Sequence, residues 1–330
     1  MRFWKMNGAG NDFIIINNME ERIPEDKLPE IARILCRRRM SLGADGLIVI
    51  DTPSGRDMND ALFTPGGFTD KDNNNKTPTT EGLFASYKIK DKNINKNNNF
   101  NKTQADFRML FFNSDGSVGE MCGNGARCVC RYGYENGLSG STQYIETTAG
   151  IVTGERIDKR NYRVKLNNPS VIKLNGEIEI DGISYPCAYV ELGNPGVPHA
   201  VISYPGLRDA DENALRELGR KIRWHKDFPK GANVNFYEIT GDDILYEKTF
   251  ERGVEDFTLA CGTGTGSVVS VLTLNKQVSG KQTQVDMAGG RLIIDVERLE
   301  SDKITGLYLT GPTNIVAKGE ILDEELENIK

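Results

Sequence analysis

Two stretches, "MCGNGARCVC" from Met121 to Cys130 and "ACGTGTGSVV" from Ala260 to Val269, constrain this chain more than any other feature. Each sets a cysteine directly before a glycine-rich run that can wind into a helix. The likeness extends upstream: "DFRMLFFNSDGSVGEMCGNG" and "LYEKTFERGVEDFTLACGTG" both read as strand, polar turn, acidic residue, cysteine and glycine-opened helix. A chain that does this twice is expected to be an internal structural duplication, with one thiol at a helix start in each half.

The surrounding sequence is strand-rich. Short apolar or β-favouring runs bounded by Gly, Asn, Asp or Pro predict strands at 14–16, 47–50, 107–112 and 144–147 in the first half. In the second half they fall at 162–166, 185–191, 199–203, 233–239, 244–250, 291–296 and 304–309. Helical spacing over 25–38 puts Leu28, Ile31, Ile34 and Leu35 on one face, and over 210–223 it puts Ala214, Leu215, Leu218 and Ile222 inward. The helix after Cys122 is expected to stop near Asn136-Gly137, as a left-handed cap requires. Residues 68–103 hold nine Asn and seven Lys and little to bury, so they predict a mobile insertion, which loop-closure entropy tolerates.

With a net charge of -6 and a pI near 5.3, the chain has no general attraction to nucleic acid. The run Arg37-Arg38-Arg39 is expected to be a solvated helix end, where the dipole favours cations. No apolar run reaches the ~18 to 20 residues of a membrane helix, and "MRFWKMNGAGNDF" lacks the long apolar core of a signal peptide. A cytoplasmic protein is expected, whose six cysteines are mostly reduced thiols.

Free N–H groups and the macrodipole at a helix start favour negative charge, so a thiol there should ionise more easily. Neighbouring glycines let a substrate approach the backbone, and the same N–H groups can hold a carboxylate. One such cysteine suggests a nucleophile. Two suggest proton transfer at carbon, one thiolate removing a proton while the opposite thiol supplies another. Zinc is disfavoured, because the C-x5-C-x-C spacing of Cys122, Cys128 and Cys130 has no fourth ligand nearby. "CGTGTGSVV" lacks the Gly-Lys-Ser/Thr of a phosphate loop and "GAGNDF" the third glycine of a dinucleotide fingerprint. Cys36, Cys128, Cys130 and Cys187 read as small buried hydrophobes.

In order and across nearly the whole chain, "KMNGAGNDF", "FFNSDGSVGEMCGNGARC", "GANVNF" and "FERGVEDFTLACGTGTG" resemble diaminopimelate epimerase. The resemblance implies an α/β fold of the α+β type, with two similar lobes. Each lobe would be a strand-rich, barrel-like sheet around a central helix, with the site in the cleft between them. The lobes are expected at 1–165 and 166–305, with 306–330 returning to the first. It also implies epimerisation of LL- to meso-diaminopimelate without pyridoxal phosphate, metal or nucleotide, in lysine and peptidoglycan precursor synthesis, and a homodimer.

By match, Cys122 and Cys261 are the acid/base pair, while Gly123, Asn124, Gly262 and Thr263 hold the reacting α-carboxylate. Asn11, Asn113, Asn194, Asn233, Glu251 and Arg252 complete the pocket. Arg252 suits a distal carboxylate and Glu251 a distal ammonium. His199 and Glu251 are implied to tune the cysteines. Two departures stand out. "GNPGVPHAV" separates Asn194 from His199 by four residues where some relatives have only a proline, and Gly46 stands where some carry a substrate-contacting Gln. The alternatives are a cofactor-independent racemase of another amino acid and a non-catalytic amino acid-binding protein on the same scaffold.

Overall fold

In the computed structural model, residues 1–55, 105–119, 121–300 and 302–329 are described, and the Asn/Lys-rich stretch 68–103 lies outside them. The first series of elements is β1 (Arg2–Gly8), β2 (Asn11–Asn17), a single turn α1 (Asn18–Glu21), α2 (Leu28–Leu35), β3 (Gly46–Asp51), β4 (Phe107–Asn113) and β5 (Val118–Gly119). It continues with α3 (Gly123–Glu135), β6 (Thr142–Thr147), β7 (Gly150–Arg156), β8 (Asn161–Leu166) and β9 (Pro169–Lys173). After β10 (Glu177–Ile180), a second series begins with β11 (Ile183–Leu192), β12 (Val197–Ser203), α4 (Glu212–Arg223), β13 (Asn233–Gly241), β14 (Ile244–Glu251) and β15 (Asp256–Thr258). It ends with α5 (Gly262–Leu274), β16 (Thr283–Met287), β17 (Gly290–Arg298), β18 (Ile304–Pro312) and β19 (Asn314–Glu320).

The two series repeat one topology. β1–β2, β3–β4, β4–β5, β6–β7 and β7–β8 are antiparallel, whereas β2–β3 and β4–β6 are parallel. The same senses recur in β11–β12, β13–β14, β14–β15, β16–β17 and β17–β18, and in the parallel pairs β12–β13 and β14–β16. The copies are joined by three antiparallel pairings: β8 with β18, β9 with β11, and β19 with β1. Each series therefore hands its final strand to the first strand of the other.

This is a mixed α+β protein of two similar lobes, each a barrel-like sheet around a central helix. α3 packs on β1, β2, β7 and β8, and α5 on β11, β12, β13, β17 and β18. A helix enclosed on all sides has no solvent face to make polar, which is why α5 is built of Gly, Ser, Thr, Val and Leu. Its hydroxyls are satisfied internally: Thr265, Ser267, Ser270 and Thr273 donate to carbonyls one turn back, at 2.7 to 2.9 Å. Among the described residues no helix is long and apolar enough to cross a membrane.

Outer helices cover each sheet. α2 packs Leu28, Ile31 and Leu35 over Ile14, Ile16, Leu47 and Val49. Its helical run is shorter than 25–38, since 25–27 form a 3-10 turn, and Arg37, Arg38 and Arg39 follow it as exposed side chains. α4 packs over Val234, Phe236 and Phe250. Ala214 is exposed, contrary to expectation, because the first turn is capped by Asp211 through the Ala214 N–H and stands clear of the sheet. Gly219 takes the buried place instead, where an added Cβ would come 3.0 Å from Phe250.

Candidate active site

Both motif cysteines are the N-cap residues of their helices. Cys122 has φ -124 and ψ 116, and Cys261 has φ -126 and ψ 105, so the two copies enter the helix in nearly the same extended conformation. Each sulfur accepts an N–H three residues on: Gly125 N–H to Cys122 Sγ and Gly264 N–H to Cys261 Sγ, both at 3.4 Å. All six cysteines are free thiols.

The two helix starts meet. A Cβ placed on Gly262 would lie 3.8 Å from the Gly123 Cα. Cβ atoms on either glycine would come 2.8 Å from the same methyl, Leu309 Cδ2, on strand β18, which crosses beneath both helices beside β8. Glycine at both positions is therefore a matter of space. Glu251, at the end of β14, raises the pKa of both Cys122 and Cys261, so one carboxyl is felt by both thiols.

Burial pushes both thiols up, Cys261 well above its usual value. The Gly125 and Asn124 N–H groups and Arg127 pull Cys122 back, while the Thr263 hydroxyl and Gly264 N–H pull on Cys261. The expectation that a helix start makes the thiol easy to ionise is thus corrected, because loss of hydration outweighs the N–H groups. Cys128, Cys130 and Cys187 are buried and likewise pushed up by desolvation, Cys128 and Cys187 to about 12.

In the first lobe a chain of hydrogen bonds runs outward from α3. Fully buried Arg127 donates to Asn124 Oδ1 at 2.8 Å, Asn124 Nδ2 donates to Asn11 Oδ1 at 2.6 Å, and Asn11 Nδ2 donates to Asp45 Oδ2 at 3.2 Å. Arg38 closes the chain on Asp45 and Asp12. Asn11 and Asn124, predicted separately, are thereby locked to each other. Burial lowers the Arg127 guanidinium to about 10.

In the second lobe Asn233 accepts the Arg252 N–H at 2.8 Å and sits opposite His199 in the β12–β13 register. His199 is fully buried, and burial pushes it down to about 3, so the ring is neutral. Its Nδ1 lies 3.3 Å from Asn235 Nδ2, a donor, which assigns the ring proton to Nε2. The Arg252 side chain is exposed and donates to Lys230 O at 3.4 Å, whereas Glu251 is half-buried and pushed up by desolvation.

Among the described residues, Asn113 and Asn194 do not join these networks. Asn113 donates to Ser117 Oγ at 2.9 Å within its own turn, and Asn194 is exposed in the loop before β12. At Gly46 a Cβ would lie 2.5 Å from Phe111 Cε2 and 2.7 Å from Phe112 O, so the Phe111 ring occupies the space a longer side chain would need.

Sequence reasoning missed Arg127, Asp45, Asn235, Thr249 and Glu247. The last three were within reach: period-two alternation through "NVNF" and "YEKTFE" places Asn233 and Asn235, and Glu247, Thr249 and Glu251, on common faces.

A family model for diaminopimelate epimerase matches residues 70–172 and 192–316. The diaminopimelate epimerase of Aquifex aeolicus is 34% identical over 337 residues, covering 99% of this chain and 100% of that protein. Among solved structures, a Bacillus anthracis phenazine biosynthesis protein of the PhzF family superposes with a TM-score of 0.65 at 14% identity, covering 98% of this chain and 99% of that one. A probable proline racemase from Agrobacterium radiobacter gives a TM-score of 0.59 at 14% identity over 99% and 95% of the two chains. Likeness at such identity speaks for the fold alone.

Proposed function

This chain belongs to the diaminopimelate epimerase family and is an isomerase; from that premise we propose that it interconverts LL- and meso-diaminopimelate by two-base proton transfer between Cys122 and Cys261. The observation that carries the reading is the contact of the two cysteine-capped helix starts at Gly123 and Gly262.

The first-turn N–H groups of Gly123, Asn124, Gly262 and Thr263 have no carbonyl one turn back, so they can turn to cradle the α-carboxylate. One thiolate takes the α-hydrogen as a proton, leaving the electron pair on carbon and delocalised into the carboxylate. The opposite thiol then delivers its proton to the other face, and the two sulfurs exchange roles. Fixed N–H donors stabilise the enolate-like charge. The raised thiol pKa suits this division, because an amino acid α-proton needs a strong base.

Glu251 and Arg252 are proposed to meet the distal ammonium and carboxylate, with His199 and Glu251 tuning the thiols and Asn113, Asn194 and Asn233 lining the pocket. The lobes, taken as 1–165 and 166–305 with 306–330 returning to the first, would close on the substrate and exclude water. No cofactor takes part in this scheme. A cytoplasmic homodimer serving lysine and peptidoglycan precursor synthesis completes the reading.

The test is incubation of reduced protein with LL-diaminopimelate in deuterium oxide, with proline, hydroxyproline, histidine and glutamate in parallel. Loss of the α-proton signal only with diaminopimelate supports the proposal. Exchange only with another amino acid would make it a racemase of that substrate, and tight binding without exchange a binding protein.

A further inference from the structure

The two lobes share a topology, but the ground beneath their cysteines differs. Under Cys122, a Cβ on Gly125 would meet Ile48 Cδ1 at 3.1 Å and Met109 Cε at 3.5 Å. Under Cys261, a Cβ on the matching Gly264 would meet Asn235 Oδ1 and, at 3.2 Å, Thr249 Oγ1. Strand register extends the comparison. The pairs Phe13–Gly46, Ile48–Phe111 and Ile50–Met109 of the first lobe stand where His199–Asn233, Asn235–Thr249 and Tyr237–Glu247 stand in the second. An apolar floor in one copy is a polar chain in the other.

That chain has a definite order. Glu247, fully buried, places Oε1 3.2 Å from Thr249 Oγ1, which lies 3.1 Å from Asn235 Oδ1. Asn235 Nδ2 reaches Ala200 O at 3.0 Å and His199 Nδ1 at 3.3 Å. The Thr249 hydroxyl has one proton. When Glu247 carries a proton and donates it to Thr249, Thr249 is left to donate onward to Asn235, with no competition for its proton. An ionised Glu247 competes with Asn235 Oδ1 for the Thr249 hydrogen bond, and as the charged acceptor it is the stronger of the two.

The surroundings favour the neutral acid. Glu247 is faced by the Thr249 and Thr265 hydroxyls, by the Cys261 thiol on α5, by Tyr237 across the strand pair, and by Thr283, Val285 and Met287 on the inward face of β16. Glu251 lies farther up its own strand and His199, neutral, at the far end of the chain. Burial raises Glu247 to about 8, and its Oε2 has no hydrogen-bond partner among the described residues.

We propose that Glu247 is a positioning residue for Cys261: as the neutral acid it holds the Thr249–Asn235 relay that fixes the Gly264 turn and the His199 ring, and as a carboxylate it weakens that relay and sets a negative charge beneath the thiol. The proposal rests on the two-base reading above and makes the two cysteines unequal. Cys261 feels the charge of Glu247, while Cys122, over Ile48 and Met109, does not.

Two variants separate charge from packing. Glu247→Gln keeps a donor for Thr249 and cannot ionise; Glu247→Met copies Met109 of the first lobe. The expected result is that kcat/KM of the wild type falls on the alkaline side as Glu247 ionises. Glu247→Gln should stay within about threefold near neutral pH with this fall moved to higher pH, and Glu247→Met should lose about tenfold or more throughout. In protein labelled with 13C at cysteine Cβ, the Cys261 resonance, assigned by its loss in Cys261→Ser, should titrate at lower pH in Glu247→Gln, with Cys122 unmoved. Superimposable pH profiles and Cys261 titrations in the wild type and Glu247→Gln would overturn the proposal, as would a Glu247→Met enzyme equal to Glu247→Gln. The resonance titration needs no turnover, so it still decides the matter if diaminopimelate proves not to be the substrate.

Discussion

Gly123 and Gly262 touch across the junction of the two lobes, the Cβ position of one lying 3.8 Å from the Cα of the other, and Leu309 Cδ2 seals both from below. Each glycine directly follows a cysteine, so the approach joins two cysteine-capped helix starts that are 139 residues apart in the chain (261 minus 122). A methyl group on either glycine would require the Leu309 side chain to move.

Gly262→Ala should therefore push the helix starts apart. A shift of a fraction of an ångström in a proton-transfer site costs on the order of tenfold to a hundredfold in kcat. Because the nearest atom is a leucine methyl, Leu309→Ala in the same chain should restore part of the loss. Steady-state kinetics of the single and double variants check this, with no rescue expected if the glycine serves another purpose.

Arg127→Met tests the first-lobe network. A buried guanidinium without an acidic partner in its hydrogen-bond set stabilises little, so thermal stability should stay level or rise when it is replaced by an apolar side chain of similar length. Asn124 loses its donor and with it the hold on Asn11, so KM should rise about tenfold. Thermal melts and KM measured on one preparation separate the two effects.

Stability should peak between the titrations of two buried groups. His199 is depressed from 6.5 to about 3 in the folded protein, so the unfolded chain binds the extra proton and stability falls as pH drops below ~6.5, by about 2 to 3 kcal/mol at pH ~4.5. Glu247 is raised from 4.5 to about 8, so the unfolded chain loses its proton first and stability falls as pH rises from ~4.5 to ~8, by about 3 kcal/mol at pH ~7. Denaturant unfolding across this range should show the acid arm flattened in His199→Gln and the neutral arm flattened in Glu247→Gln.

What was legible in the sequence followed from local chemistry. The glycine-opened helices after Cys122 and Cys261, the amphipathic α2 and α4, and strands such as β3 and β13 carry their signals within a few residues. β1, β5, β7, β9, β10, β15, β16 and β19 were not predicted. β19 is largely exposed and "NIVAKGE" is half polar, so its place is set by pairing with β1, a partner over three hundred residues away in sequence, which no local pattern encodes. In the site, the residues legible from the sequence were those at motif positions, and Asn235, Thr249, Glu247 and Arg127 were not among them. Their meaning lies in what faces them across the sheet: Glu247 reads as an ordinary strand surface residue until α5 is laid over it.

The most direct measurement of the central claim is stereospecific proton transfer in the paired single variants. In deuterium oxide the wild type should place solvent deuterium at the inverted α-carbon of diaminopimelate, and Cys122→Ala and Cys261→Ala should each abolish inversion while keeping a folded protein. Near-normal inversion in either variant would mean that the two sulfurs do not share one stereocentre.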